Sequence, residues 1–131
     1  MMSAGLPNED HFNTLKTIGV TRVIDLLPGD RSAQRQMMKR LGLDYTNIGV
    51  DWQNPSFDDF HDYVTAMQQT TDDSGITLTH CRLNWRGAVF TYLYRITQLN
   101  ESEKTARKDL LAIWLPNATW QDFIDLVIAH Y

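Results

Sequence analysis

Gly75-Ile76-Thr77-Leu78-Thr79-His80-Cys81-Arg82-Leu83-Asn84-Trp85-Arg86-Gly87-Ala88-Val89-Phe90 is the stretch on which the fold turns. Ile76 to His80 alternates and is short, as a central strand would be. From Ala88 to Leu99 apolar residues recur on nearly every side (Val89, Phe90, Tyr92, Leu93, Tyr94, Ile96), the pattern of a buried helix. Between strand and helix lies the only cysteine of the chain, Cys81. Backbone N–H groups at such a junction have no intrahelical carbonyl partners, so they face whatever sits beneath the helix N-terminus, and anions bind there. Arg86 follows with four residues between, within reach to fork onto two oxygens of an anion held above the sulfur.

Outward from this segment the same alternation repeats. Asn8 or Glu9 to Ile18 is expected to be helical, with Phe12, Leu15 and Ile18 on one face and Gly19 as the stop. Thr21 to Leu27 reads as a buried strand ended by Pro28-Gly29, Ser32 to Leu41 as a helix closed by Gly42, and Leu43 to Val50 as a second strand. Pro55 and Ser56 open another helix, Ser56 with Asp59 forming a capping box and Phe57, Phe60, Val64 and Met67 the apolar stripe. Asp72 to Gly75 is a turn cluster. Asn100 to Leu115 and Thr119 to Ala129 are two further amphipathic helices, separated at Pro116-Asn117 by what reads as an ordinary break. Strands alternating with helices imply an α/β fold, its sheet largely parallel, with right-handed crossovers.

At 131 residues the chain fits one domain, with 43% apolar and 21% charged residues and few glycines and prolines. Its net charge is −4 and it has no basic stripe, which argues against nucleic acid or an anionic membrane as the main partner. One cysteine forms no internal disulfide, and no Cys/His cluster offers a metal site, so neither metal nor cofactor is expected. The first residues have neither the basic start nor the apolar run of a secretory signal, and no stretch approaches the length of a membrane span. Cytoplasmic residence is the simplest expectation; periplasmic residence stays open, because a signal already removed leaves no trace.

Ligands of open parallel sheets bind beyond the carboxyl ends of the strands. His80-Cys81 and Val50-Asp51 both lie at such ends, so Cys81, Arg86 and Asp51 share one cleft if their strands are neighbours. An ordinary cysteine is only a few per cent thiolate near pH 7. Convergent loop N–H groups, the helix dipole and Arg86 each favour the anion, and the same donors suit the oxygens of a phosphoryl group in its transition state. Cleaving a phosphate ester also needs a proton for the departing oxygen, and Asp51 is the candidate acid.

The run His80-Cys81-Arg82-Leu83-Asn84-Trp85-Arg86 resembles the phosphate loop of cysteine-dependent phosphatases, and Asn47-Ile48-Gly49-Val50-Asp51 is similar to the general-acid region of dual-specificity phosphatases. Ser3 to Pro7, Val23 to Leu26, Asp51 to Pro55 and Asn84 to Arg86 carry, in order, a likeness to a bacterial phosphatase-like family sometimes fused to β-lactamase-like hydrolases. The resemblance implies a small, mostly parallel central sheet of about four strands flanked by helices. It also implies Cys81 as nucleophile, Arg86 as phosphate clamp, Asp51 as general acid, the loop amides of Arg82, Leu83, Asn84, Trp85 and Arg86 as the cradle, and a phosphorylated substrate. The chain departs from the pattern twice. Four residues rather than the usual five separate Cys81 from Arg86, and Gly87 stands where a Ser or Thr hydroxyl usually assists departure of the thiolate. The loop also lacks an internal glycine, leaving Asn84 as the residue best able to take a left-handed conformation.

Each candidate has a plainer reading. Cys81 alone would be a small buried hydrophobe, and Asp51 a turn-former. His80 either tunes the thiolate or is a hydrogen-bonded core histidine. Trp52 and Trp85 either stack on an aryl substrate or pack. Asp58, Asp59 and Asp62 read as a solvated face, and Arg22 and Arg31 as surface charges. Two other functions fit the same loop: a rhodanese-like sulfurtransferase, whose loop length matches Cys81 to Arg86 and which needs no general acid, and a module that binds phosphate with weak or no turnover.

Overall fold

A computed structural model describes residues 1–69 and 75–131; the expected turn at Asp72 to Ser74 lies outside them. The element order is β1 (Met2–Ala4), α1 (Glu9–Thr17), β2 (Val20–Asp25), α2 (Ser32–Leu41), β3 (Asp44–Asn47), α3 (Phe57–Gln68), β4 (Ile76–His80), α4 (Trp85–Thr97), α5 (Glu103–Ile113) and α6 (Ala118–His130). The four strands form one sheet in the order β1-β4-β2-β3, every described pair parallel. β4 is therefore central, as its alternation implies.

Local chemistry sets the helix ends. Asn8 and His11 make a reciprocal cap on α1, Ser56 and Asp59 the expected capping box on α3, and Gly42 closes α2 in the left-handed region at φ 72°. α4 starts at Trp85, three positions before the expected Ala88, because Asn84 takes φ 65° and turns the chain directly into the helix. α5 starts at Glu103 rather than Asn100, since Asn100 itself has φ 54° and Ser102 supplies the cap. β1 has no counterpart in the sequence reading. Three residues are too few to display a period, and the strand forms because β4 offers it a backbone ladder.

Two apolar layers sandwich the sheet. Phe12, Val20, Val23, Met38, Leu43 and Leu78 pack under α1 and α2, and the larger layer beneath α3, α4 and α6 includes Ile24, Leu26, Phe60, Tyr63, Phe90, Leu93, Trp120 and Ile124. A register shift in β2 between Val20 and Arg22 inserts one residue, so Val20 and Val23 face the same layer although they are three apart. α4 runs through the larger layer with Gly87 to Phe90 and Tyr92 to Tyr94 buried, as its all-round apolar pattern predicts. Cys81 belongs to this layer; its neighbour His80 points to the other, its ring 5.9 Å edge-on from Phe12. Among the described residues no helix is long and apolar enough to cross a membrane.

Candidate active site

The site is built where β4 runs into α4. Two neighbouring segments tie the junction down through three bonds: the Cys81 N–H donates to Ala4 O (3.3 Å), the Leu6 N–H to Arg82 O (3.1 Å) and the Leu26 N–H to His80 O (2.9 Å). The loop Cys81–Asn84 then closes through the left-handed Asn84, and the first intrahelical bond of α4 runs from the Ala88 N–H to Asn84 O at 2.9 Å. The amides of Asn84, Trp85, Arg86 and Gly87 precede that bond and have no intrahelical acceptor, and no acidic side chain occupies the first turn. Asn84 thus adopts the left-handed conformation expected of it.

Cys81 has 1% of its surface exposed, yet it lines a cavity of about 440 Å³ with Arg82, Leu83, Trp85, Arg86, Trp52, Leu27 and Pro28. Cys81 thus both packs in the larger apolar layer and borders the cavity. Arg86 Nε donates to Val50 O at 3.1 Å, and its guanidinium carbon sits 5.2 Å from the centre of the Trp52 ring. These contacts hold the arginine through Nε and one face of its guanidinium.

The supposition that β3 and β4 are neighbours is corrected: β2 lies between them. The segment after β3 nevertheless reaches the site by continuing along the end of β2, where the Ile48 N–H donates to Asp25 O (2.8 Å) and the Val50 N–H to Leu26 O (3.0 Å). That carries Val50 and Trp52 over to Arg86. Asp51 itself is exposed, does not line the cavity, and accepts the Gln53 N–H at 2.9 Å through Oδ1, a local turn bond.

All four tryptophans converge at one wall. Trp85 stacks on Trp114 (5.2 Å, 6° between planes), Trp52 packs on Trp85, Trp114 and Trp120 at 5.2–5.6 Å, and Trp120 Nε1 donates to Trp52 O at 2.9 Å. Trp52 and Trp85 pack, as one reading had it, and both also line the cavity. Trp114 and Trp120 escaped the sequence reading. Pro116-Asn117 is less ordinary than it seems, because Asn117 caps α6 and so brings Trp120 under Trp52.

Gly87 packs closely. A Cβ there would lie 2.8 Å from Asn84 Oδ1, which is buried without a hydrogen-bond partner among the described residues. Gly5 is similarly constrained, its notional Cβ 3.0 Å from Arg82 O where the chain after β1 crosses the loop.

Beneath the loop lies a polar cluster that the sequence reading missed. Asp25 is fully buried and accepts from Arg31 Nε (2.7 Å), Tyr45 Oη (2.5 Å) and the Leu27 N–H (3.0 Å), and its Oδ1 is 3.8 Å from His80 Nε2. Arg31 is thus no surface charge: its side chain is 19% exposed and its partner wholly enclosed. Arg22 is also engaged, Nη2 donating to Met67 O at 3.2 Å. Neither ring nitrogen of His80 has a hydrogen-bond partner among the described residues. Burial pulls the His80 pKa below its ordinary 6.5, against the opposing pull of Asp25, so the ring is neutral near pH 7. Burial and the Asp25 carboxylate push the Tyr45 hydroxyl up, so it stays a proton donor. The cluster's one sequence signal was Asp25 itself, a carboxylate inside an otherwise apolar strand.

No protein-family model and no curated protein matches the chain. Among solved structures, a DUF442 phosphatase-like protein of Shewanella putrefaciens CN-32 is 35% identical, with 98% of this chain and 84% of that one aligned at a TM-score of 0.81. The core catalytic domain of the PP-IP phosphatase SIW14 of S. cerevisiae aligns over 94% and 77% of the two chains (18% identity, TM-score 0.73), and TpbA of P. aeruginosa over 98% and 83% (14%, 0.75). These last two share the fold. The Shewanella protein is similar enough in sequence to place the chain by descent: it belongs to the DUF442 family of bacterial phosphatase-like proteins.

Proposed function

We propose that the protein is a cysteine-dependent phosphomonoester hydrolase of the tyrosine or dual-specificity type, and that its substrate carries a phosphate monoester on a protein or a small molecule. The observation that carries this reading is the single cavity floored by Cys81 and walled by Arg86 at the head of α4. Cys81 Sγ attacks phosphorus in line, forming an S–P bond as the P–O ester bond breaks, and Asp51 gives its proton to the departing oxygen. Water then attacks phosphorus, the P–S bond breaks, Cys81 leaves as thiolate and Asp51 takes the proton back. The amides of Arg82 to Arg86 and the Arg86 guanidinium hold the three equatorial oxygens throughout. Asp51 stands between Val50, whose carbonyl holds Arg86, and Trp52, which lines the cavity; to serve as the acid its side chain must leave the Gln53 amide.

Two neighbours of the fold support an oxyanion ligand here: a cysteine-to-serine variant of TpbA is in complex with phosphotyrosine and SIW14 with citrate. The test is hydrolysis of an aryl phosphate by the wild type and by Cys81→Ser, with mass spectrometry of a quenched reaction. A phosphate adduct confined to Cys81 is expected. Turnover that survives Cys81→Ser overturns the reading.

A further inference from the structure

The buried pair of Asp25 and Arg31 takes no part in the chemistry above, yet it meets the residue before the nucleophile: Asp25 Oδ1 is 3.8 Å from His80 Nε2, across the sheet from the layer that holds Cys81. Asp25 is the Cα partner of His80 in the β2–β4 register, and Cys81 is the next residue. We propose that Asp25 and Arg31 are a positioning pair whose balanced charges set the field at Cys81, keeping a structural carboxylate from opposing the thiolate. The inference rests on Cys81 being the reactive group of the site.

Asp25 has clear structural duties. Its carboxylate holds the Leu27 amide, and Leu27 lines the cavity; its carbonyl receives Asn47 Nδ2 at 2.8 Å as well as the Ile48 N–H. A full negative charge in this enclosed place, one strand from the sulfur, is poorly screened and disfavours any anion in the cavity, thiolate or phosphate. Arg31 Nε at 2.7 Å cancels that charge. The other groups facing the pair do not. Tyr45 contributes a neutral hydroxyl, His80 is a neutral ring, α1 brings the Phe12 ring against His80, and Arg35 of α2 lies over the Tyr45 ring at 4.9 Å. Arg86, Arg82 and the head of α4 also face Cys81 and stay the same in every variant below, so removing the carboxylate and removing the guanidinium must act with opposite signs.

That opposition is the test. Cys81 is the only cysteine, so the pH dependence of alkylation by iodoacetamide, or of thiolate absorbance, reads this one group. Asp25→Asn leaves Arg31 uncompensated and should move the midpoint of the curve down; Arg31→Gln leaves Asp25 uncompensated and should move it up. Each shift should be on the order of one pH unit, the usual size of the effect of an uncompensated charge near a titrating group in an enclosed site. Arg31→Lys and the double variant should stay within about 0.3 unit of wild type on the same scale. A purely structural cross-link has no sign. Shifts of the two single variants in the same direction, or of less than about 0.3 unit in both, overturn the proposal. If Asp25→Asn fails to fold, Arg31→Gln against Arg31→Lys carries the test, with Tyr45→Phe expected to move the midpoint up by less than Arg31→Gln. The titration needs no turnover, so a protein that hydrolyses no aryl phosphate but shows opposite shifts refutes the phosphatase reading alone; same-sign shifts in an active phosphatase refute this inference alone.

Discussion

Gly87→Ala is a substitution whose sign should reverse with the identity of a second residue. In the first turn of α4, alanine gains about 0.5–1 kcal/mol over glycine from backbone entropy. Here the added Cβ would meet Asn84 Oδ1 at 2.8 Å, closer than real Cβ contacts come, so the carboxamide must leave its position. Displacing a packed side chain from its rotamer costs about 0.5–1.5 kcal/mol, and overpacking at an enclosed site about 1–3 kcal/mol. Alone, Gly87→Ala should therefore destabilise by up to about 1–2 kcal/mol. With Asn84→Gly the obstructing atom is gone and the next neighbours, Ser3 Cβ and Thr79 O, stand at 3.6 Å, an ordinary contact. In that background the same substitution should stabilise by about 0.5–1 kcal/mol. A double-mutant cycle in urea should then give a coupling of about 1–3 kcal/mol, or several degrees in melting temperature for a chain of this size. Additivity within about 0.5 kcal/mol would refute the argument that the Asn84 carboxamide fills the space a side chain at 87 would take.

Asp51→Asn should lower turnover of an aryl phosphate with a poor leaving group by about 10²–10⁴-fold while leaving inorganic phosphate affinity nearly unchanged, checked by steady-state kinetics and competition. His80 titrates lower folded than unfolded, so its contribution to stability is complete above pH 6.5 and is lost as pH falls from there through the lowered folded value. Urea unfolding at pH 7.5 and pH 5 should show a smaller loss for His80→Gln than for wild type; an equal loss would place the acid lability elsewhere. Because the Trp52 ring lies 5.2 Å from the Arg86 guanidinium carbon, phosphate or vanadate binding should change tryptophan emission, and Trp52→Phe should remove most of that change. Trp120 is fully buried and bonded to Trp52 O, so Trp120→Ala should cost about 3–5 kcal/mol in denaturant unfolding.

The sequence by itself determined the strand–helix alternation, the place of Cys81 and Arg86 at a strand-to-helix turn, the all-round burial of α4 and the left-handed Asn84. Each of these depends on spacing or on the stereochemistry of one residue, and both are local. Only the tertiary structure decided what non-local contacts control. The edge strand Met2–Ala4 exists because β4 accepts it. Val50 reaches Arg86 although β3 and β4 are separated by β2, because the chain after β3 hugs the end of β2. The tryptophans, spread from 52 to 120, meet in one wall. Asp25 and Arg31, six residues apart and ordinary as text, become an enclosed ion pair because the chain after β2 folds back over the strand end. Burial is a property of the whole packed chain, and a charge shows its consequence only once its surroundings are known.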